Sequence, residues 1–213
     1  MRVVVFGANG RIGAAVVDEL LRRNHTVRAV IRPGKRKPPI EKRLTTAMAD
    51  VTDEEEVQSV VRGADAVISA VGPTADSDPS MLVGAAQALR RGLSAAGVSR
   101  LIVVGGAGSL EVRPGVQLLE TRDFPTAWMP VALAHREALS VYRDEKQLDW
   151  TVVSPAAEVT AGARTGHYRA GGDGLLVDSQ GRSHVSIPDF AVAVVDEVET
   201  PRHIRRRFTV ATS

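Results

Sequence analysis

The sequence predicts an α/β protein whose core is a doubly wound parallel sheet, and two observations carry that prediction. Short runs of β-branched and aromatic residues alternate repeatedly with segments of helical periodicity between residues 3 and 104. The first of these runs, at residues 3–6, passes through a glycine-rich turn directly into a helical segment. Such alternation is typical of right-handed βαβ units, which place helices on both faces of one sheet.

The individual elements follow from local composition and periodicity. Strands are predicted at residues 3–6, 27–31, 44–49, 66–71, 101–104 and 149–153. Helices are predicted at residues 11–23, 52–63, 80–96 and 131–146. Thr52 and Glu55 have the spacing of a capping box at the second helix, and Gly97 follows the third helix as a stop.

The chain beyond residue 155 differs in composition from residues 1–155, because glycines separate its short apolar runs. Residues 175–177 are predicted to form a short strand and residues 208–210 a closing strand. Ser186 is predicted to cap a last helix, with Asp189 three residues later. We expect one domain over residues 1–213, with a core at about 1–155 and a small lobe at about 156–213 over the carboxyl edge of the sheet.

Composition limits the classes of function. Hydrophobic residues make up 44% of the 213-residue chain, and no apolar run approaches the ~20 residues of a membrane span. The net charge is +2 and aromatic residues make up 4%, which argues against a nucleic-acid partner. The chain has no cysteine, its five histidines are scattered, and a strand begins directly after Met1. We therefore expect a cytoplasmic protein with a small-molecule substrate and without a metal site, signal peptide or membrane partner.

The turn after the first strand, GANGRIG at residues 7–13, has the spacing G-x-x-G-x-x-G. Gly7 permits a tight turn, Gly10 lets the backbone approach a pyrophosphate, and Gly13 lets helix and strand pack closely. Free N–H groups and the positive end of the helix dipole attract phosphates there. We predict a Rossmann-type dinucleotide site, and the alternative is a glycine-rich turn without a ligand. The residues assigned to the phosphates are Gly7, Asn9, Gly10, Arg11, Ile12 and Gly13.

The end of the second strand indicates which dinucleotide binds. A site for NAD(H) usually carries a carboxylate there for the ribose 2′-hydroxyl. This chain has Arg32 instead, followed by Lys35, Arg36 and Lys37. A guanidinium suits bidentate recognition of a phosphate, so NADP(H) is favoured over NAD(H), with Arg11 adding charge from the turn. The alternative is a solvated basic loop.

Several segments share a pattern with one known group of proteins. They are GANGRIG at 7–13, DVTD at 50–53, VGGAGSL at 104–110, LDWTVVSPA at 148–156 and SIPDFAVA at 186–193. In this combination the chain resembles the atypical short-chain dehydrogenase/reductases of the NmrA-like, NAD(P)H-binding group, and it looks most similar to small bacterial proteins grouped as NADH-flavin reductases. The resemblance covers essentially the whole chain.

The resemblance implies further contacts with the cofactor. The positions that it assigns, from the adenine to the nicotinamide, are Asp50, Val51, Ala70, Val71, Gly72, Gly105 and Pro155. All of them lie at or just beyond the carboxyl ends of predicted parallel strands, where open α/β sheets bind ligands. For Asp50 the alternative is a helix-capping role.

The catalytic set that the resemblance implies is incomplete. Typical short-chain dehydrogenases use a serine after the fifth strand and a Tyr-x-x-x-Lys pair early in the next helix. Here Gly105-Gly106 hold the place of the serine. Tyr142 and Lys146 have the Tyr-x-x-x-Lys spacing but lie at the far end of the helix, so we interpret them as structural. His135 is the candidate catalytic residue in the expected stretch, and a structural histidine is the alternative.

These features predict an NADPH-dependent oxidoreductase that passes a hydride to a flavin such as FMN, a quinone or a similar planar acceptor. Hydride transfer to a flavin needs mainly stacking and positioning of the reacting rings. It therefore does not depend on the acid–base groups that this chain lacks. The alternative is a non-catalytic NADP(H)-binding redox sensor of the NmrA type. A nucleotide-sugar epimerase is disfavoured, because the lobe after residue 155 is short and the tyrosine is missing.

Overall fold

The computed structural model describes residues 1–32, 42–73 and 77–213. Within these residues, the centre of the molecule is a sheet of eight strands. The strands, including two small ribbons, are β1 (Arg2–Phe6), β2 (Thr26–Ile31), β3 (Leu44–Met48), β4 (Ala66–Ser69), β5 (Arg100–Val104), β6 (Glu111–Arg113), β7 (Val116–Gln117), β8 (Asp149–Pro155), β9 (Glu158–Thr160), β10 (Arg169–Gly171), β11 (His184–Ser186) and β12 (Arg206–Ala211). The helices are α1 (Arg11–Arg22), α2 (Glu54–Val61), α3 (Met81–Ala96), α4 (Met129–Arg143) and α5 (Ile187–Glu199).

The strand order of the main sheet is β3-β2-β1-β4-β5-β8-β12-β10. Its neighbouring strands are parallel, except that β10 is antiparallel to β12. The chain moves outward from β1 to β3 and then crosses to β4 on the other side of β1. This reversal opens a crevice at the carboxyl ends of β1 and β4, as in other doubly wound sheets. The predicted Rossmann-type fold is confirmed.

Alternating side chains of the strands supply two separate hydrophobic cores. Val3 and Val5 of β1 face the layer formed by α1 and α5, whereas Val4 and Phe6 face the layer formed by α2, α3 and α4. Because both faces of the strands are covered, the strand sequences are apolar almost throughout, as expected for a buried parallel sheet.

The predicted element boundaries agree with the observed ones to within a few residues. Gly97 follows α3 with φ +70°, the left-handed conformation expected of a glycine stop. The Ser186 hydroxyl caps α5 by accepting a hydrogen bond from the N–H of Asp189 at 3.1 Å. α4 begins and ends earlier than predicted, at Met129 and Arg143, so Lys146 lies beyond the helix.

The predicted cap of α2 is wrong by one residue. Asp53, not Thr52, is the N-cap, and its side chain accepts a hydrogen bond from the N–H of Glu56 at 3.0 Å. The hydroxyl and N–H of Thr52 both donate to Asp50 Oδ1, at 2.7 and 2.9 Å. Because Asp50 already holds Thr52 in a local turn, the capping role passes to the next residue.

The strand predicted at residues 175–177 is also wrong. The segment is irregular, and its pairing is limited to an isolated bridge between Gly174 and Glu111. The N–H of Leu175 donates to the carbonyl of Glu111, and the N–H of Glu111 donates to the carbonyl of Asp173. An apolar run thus contacts β6 at one point without forming a ladder.

Residues 156–213 add to the central layers as well as to the carboxyl edge. β12 and β10 extend the main sheet, and α5 packs beside α1. β9 follows β8 after two residues and pairs with β11, so this small ribbon lies at the carboxyl end of β8.

A buried carboxylate attaches the irregular segment between β9 and β10 to α1. Glu19 is 3% exposed and accepts hydrogen bonds from Arg23 and Arg164 at 2.7–2.8 Å. The hydrogen bond from Arg164 is the largest influence on Glu19, and together with the Arg23 contact it outweighs burial and lowers the pKa of Glu19 to about 2. The carboxylate is therefore charged throughout the neutral range.

Candidate functional site

The turn between β1 and α1 has no room for a Cβ at Gly7 or Gly13 and little room at Gly10. Gly7 adopts φ +73°, and a Cβ there would lie 2.5 Å from the carbonyl oxygen of Ala70. A Cβ at Gly13 would lie 2.1 Å from the carbonyl oxygen of Gly7, and one at Gly10 would lie 3.2 Å from the same oxygen. The tight turn and the close helix–strand packing inferred from the spacing are therefore present.

The N-terminus of α1 opens onto this turn. Gly10 occupies the N-cap position, and no side chain caps the helix. The first helical N–H bonded within α1 is that of Ala14, which donates to the carbonyl of Gly10 at 2.8 Å. The N–H groups of Arg11, Ile12 and Gly13 therefore lie at the open, positive end of the helix, where anions bind.

A cleft of about 280 Å³ lies against the turn, at the reversal of strand order. It is lined by Phe6, Gly7, Asn9, Gly10, Val30, Ile31, Arg32, Ala49, Val51, Ala70, Val71 and Gly72. Eight of the residues assigned from the sequence are in this set, and Phe6, Val30, Ile31 and Ala49 were not assigned. The unassigned residues are apolar and lie at the ends of β1 and β2 and just after β3. Their position at the carboxyl ends of predicted strands could have identified them from the sequence. An apolar cleft beside a bare helix N-terminus fits an adenosine with its phosphates.

Arg32 lines the cleft, whereas Asp50 is not among the lining residues, although its neighbours Ala49 and Val51 are. Arg32 is exposed, and it makes no hydrogen bond or ion pair with any residue the structure describes. Hydrogen bonds from Thr52 lower the pKa of Asp50, with a smaller contribution from the charge of Arg32. Oδ1 of Asp50 is engaged in the turn with Thr52, whereas the Arg32 guanidinium is available to a ligand. Lys35, Arg36 and Lys37 lie outside the described residues.

The other end of the carboxyl edge holds Gly105, Pro155 and His135. A Cβ at Gly105 would lie 2.7 Å from Val152 Cγ1, and one at Gly106 would lie 3.0 Å from His135 Cγ. The ring of His135 thus packs directly on Gly106, and neither glycine position has space for the serine of typical short-chain dehydrogenases. Burial lowers the pKa of His135 to about 4, so its imidazole is neutral at pH 7.

The Tyr-x-x-x-Lys pair lies away from this edge. Tyr142 is buried in the last turn of α4, with its ring centroid 6.3 Å from that of Trp150 near the start of β8. Burial raises the pKa of its phenol well above the ordinary value, which is the reverse of what a proton-transfer tyrosine needs. Lys146 Nζ donates to the carbonyl of Arg143 and not to the phenol.

Residues 1–32, 42–73 and 77–213 contain neither a metal-binding cluster of side chains nor a helix that could cross a membrane. That part of the chain contains no group of three or more His, Asp or Glu side chains arranged to hold a metal ion. It also contains no helix with the length and apolar character needed to cross a membrane.

Known proteins share both the sequence pattern and this architecture. The model of a family described as NAD(P)H-binding matches residues 7–201. A structure from Burkholderia pseudomallei, provisionally named an exported protein, is 43% identical, with a TM-score of 0.90 over 99% of each chain. A provisionally named epimerase from Bacteroides thetaiotaomicron is 39% identical, with a TM-score of 0.91 over 99% of this chain and 96% of that one.

A third structure, from Streptococcus pneumoniae TIGR4, carries the provisional name NADH-flavin reductase. It is 33% identical, with a TM-score of 0.90 over 100% of both chains. The family match includes the glycine turn, the cleft and the His135 end of the sheet, and it extends over most of the chain. The chain belongs to the NAD(P)H-binding family.

Proposed function

We propose that the protein is an NADPH-dependent oxidoreductase that passes a hydride to a flavin such as FMN, a quinone or a similar planar acceptor. The observation that carries the proposal is the cleft at the strand reversal, which joins an open helix N-terminus to an exposed arginine. The fold and family are those of NAD(P)H-binding proteins, and one similar structure has the provisional name NADH-flavin reductase.

The preference for NADPH over NADH rests on Arg32. Its exposed guanidinium lines the cleft and makes no hydrogen bond or ion pair with a described residue, so it is available to bind a ribose 2′-phosphate. Asp50 and Val51 would border the adenine, and residues 70–72 would follow the ribose and diphosphate. Gly105 and Pro155 would lie beside the nicotinamide.

The planar acceptor is supported by what surrounds the nicotinamide end. Bound NADPH supplies a hydride, and the described residues offer no Ser, Tyr and Lys set there to protonate an alkoxide. His135 is neutral at pH 7 and suits hydrogen bonding or ring packing better than strong acid catalysis. Trp128, 66% exposed at the start of the same helix and two turns before His135, presents an indole on which a planar ring can stack.

An NADP(H)-binding redox sensor of the NmrA type is the second candidate. The same packing of His135 and Val152 against Gly105-Gly106 favours it, because a protein that only binds the cofactor needs no proton donor at this position. The two candidates share the cofactor site and differ in turnover.

Titration of the purified protein with NADPH and NADH, followed by nicotinamide fluorescence, tests both candidates. FMN is then added to the same cuvette. We expect tighter binding of NADPH and loss of its signal only in the presence of FMN. Persistence of bound NADPH with FMN and quinones would favour the sensor, and tighter binding of NADH would contradict the role given to Arg32.

We further propose that the protein acts in the cytoplasm on a small molecule, without a nucleic-acid or membrane partner. The cysteine-free composition and the low net charge support this location and partner class. One similar structure is provisionally named an exported protein, so fractionation of cells expressing the full chain is the direct test. Recovery from the culture medium would contradict the proposal.

A further inference from the structure

Two arginines are buried among the described residues, and each lies in a strand of the main sheet. Arg100 is the first residue of β5, and its guanidinium binds Glu197 of α5 at the amino edge of the sheet. Arg207 is the second residue of β12, and its side chain is 3% exposed. A buried charge is costly unless its hydrogen bonds are satisfied, so the partners of Arg207 indicate what it stabilises.

The guanidinium of Arg207 joins β12 to two other segments of the chain. Its Nη1 donates to the carbonyl oxygen and the hydroxyl of Ser109, at 3.1 and 2.8 Å. Its Nε donates to Asp173 Oδ1 at 2.6 Å, and Nη2 contacts the same carboxylate. Ser109 is 6% exposed, whereas the side chain of Asp173 is 54% exposed. The buried part of this network therefore lies at Ser109, in the β5–β6 loop formed by residues 105–110.

The hydrogen bonds from Arg207 complement the packing of α4 on the β5–β6 loop. Side chains of α4 contact the loop closely at Gly106 and Gly108. These contacts limit how far the loop can approach the helix, but they are not directional. Arg207 reaches the loop from β12, where it lies in register with Val152 of β8. Two hydrogen bonds from a charged donor to one loop residue fix the position of the loop more narrowly than packing alone.

We propose that Arg207 is a positioning residue of the candidate site, which it serves by fixing the β5–β6 loop through Ser109. This inference rests on the proposed function, in which NAD(P)H occupies the cleft and Gly105 lies beside the nicotinamide. Arg207 acts through Ser109, four residues after Gly105, and not by touching the cofactor. Because a small displacement of a group that borders a reacting ring changes how the ring is held, loss of this anchor should be felt at the nicotinamide and not at the adenosine.

The test compares NADPH with 2′,5′-ADP, which lacks the nicotinamide, and its readout is the ratio of the two Kd values. Arg207→Met keeps an unbranched side chain and removes the donors. It should weaken NADPH binding by about 3- to 10-fold, on the order of one ordinary hydrogen bond, and leave 2′,5′-ADP binding within about twofold. Ser109→Ala removes only the hydrogen bond of 2.8 Å and should change the ratio in the same direction by a smaller factor.

Arg100→Met is the matched control, because it removes the other buried arginine, which lies at the opposite edge of the sheet. Both methionine variants should melt below the wild-type temperature, since each leaves buried acceptors unpaired. Only Arg207→Met should change the ratio of the Kd values. The same variant should also show faster hydrogen exchange at the amides of residues 105–110, because the loop has lost its anchor.

A purely structural role for Arg207 would lower the melting temperature and leave the ratio unchanged. An unchanged ratio in Arg207→Met would therefore overturn the inference, as would an equal change in Arg100→Met or unchanged exchange in the loop. If Arg207→Met did not fold, an unchanged ratio in Ser109→Ala would overturn it instead. If the wild type bound NADPH and 2′,5′-ADP equally, the loop would border no bound ring, and the inference would fail while the adenosine cleft stood. Failure of the wild type to bind either ligand would overturn the proposed function itself.

Discussion

Replacement of Gly13 by alanine should destabilise the protein through one backbone contact. The added Cβ would lie 2.1 Å from the carbonyl oxygen of Gly7, whereas ordinary contacts begin near 3.4 Å, so α1 must move by about 1 Å. Overpacking against backbone costs about 3 kcal/mol, and the better helix propensity of alanine offsets about 1 kcal/mol. The net loss of about 2 kcal/mol corresponds to a fall in Tm of roughly 4–8 °C for a chain of this size.

Gly84→Ala is the matched control, because Gly84 also lies in a helix. A Cβ there would make an ordinary contact of 3.7 Å with Thr52 Cγ2, so only the gain in propensity remains. The same chemical change should then raise Tm by roughly 2–4 °C. Thermal unfolding of both variants is the assay, and Gly13→Ala should also bind NADPH more weakly, since the N–H groups at the start of α1 move. A Gly13→Ala variant that melts at or above the wild-type temperature would refute the packing argument.

Four further outcomes are expected. Arg32→Ala should raise the Kd for NADPH about 10- to 100-fold, since charge-assisted hydrogen bonds contribute ~1.5–3 kcal/mol, and leave the Kd for NADH unchanged; equal losses in fluorescence titrations would contradict this. Glu19→Gln should lower the free energy of unfolding at pH 7 by about 3 kcal/mol. Because the folded pKa of Glu19 is lowered to about 2, its stabilisation is complete above the ordinary value of 4.5 and is lost as pH falls toward 2, so urea unfolding should show the two proteins converging over that range. Trp128→Ala should raise KM for FMN more than KM for NADPH in steady-state assays, and the reverse order would place the indole elsewhere than at the acceptor. Tyr142→Phe should retain turnover within about twofold, and a loss beyond tenfold would restore the tyrosine to the catalytic set.

The sequence was sufficient to predict the fold where its signals are local. Glycine spacing placed the turn of residues 7–13, and the alternation of strands with helices gave the parallel sheet. Thr52 and Asp53 show the limit of this approach, since each has a glutamate three residues later and both fit a capping box. Thr52 donates its hydrogen bonds to Asp50, so Asp53 is left to cap the helix. The capping pattern in the sequence does not show that Thr52 is already engaged in this way.

The candidate site divides in the same way. The geometry of the glycine turn at residues 7–13 was predictable, because one contiguous segment forms it and strand ends border it. The geometry around Gly105 and Gly106 depends on how closely α4 approaches the loop after β5, which is a contact between residues distant in sequence. The packing of His135 on Gly106 arises from that approach.

This chain has Gly105-Gly106 where typical short-chain dehydrogenases carry a serine, and the packing around the two glycines accounts for that difference. A side chain at Gly106 would meet the His135 ring at 3.0–3.2 Å, and one at Gly105 would meet Val152 at 2.7 Å. Another close contact follows at Gly108, where a Cβ would lie 2.7 Å from Ala132 Cβ, so two α4 residues about one turn apart, Ala132 and His135, lie against this loop. Glycines in the loop and the position of the helix therefore depend on each other.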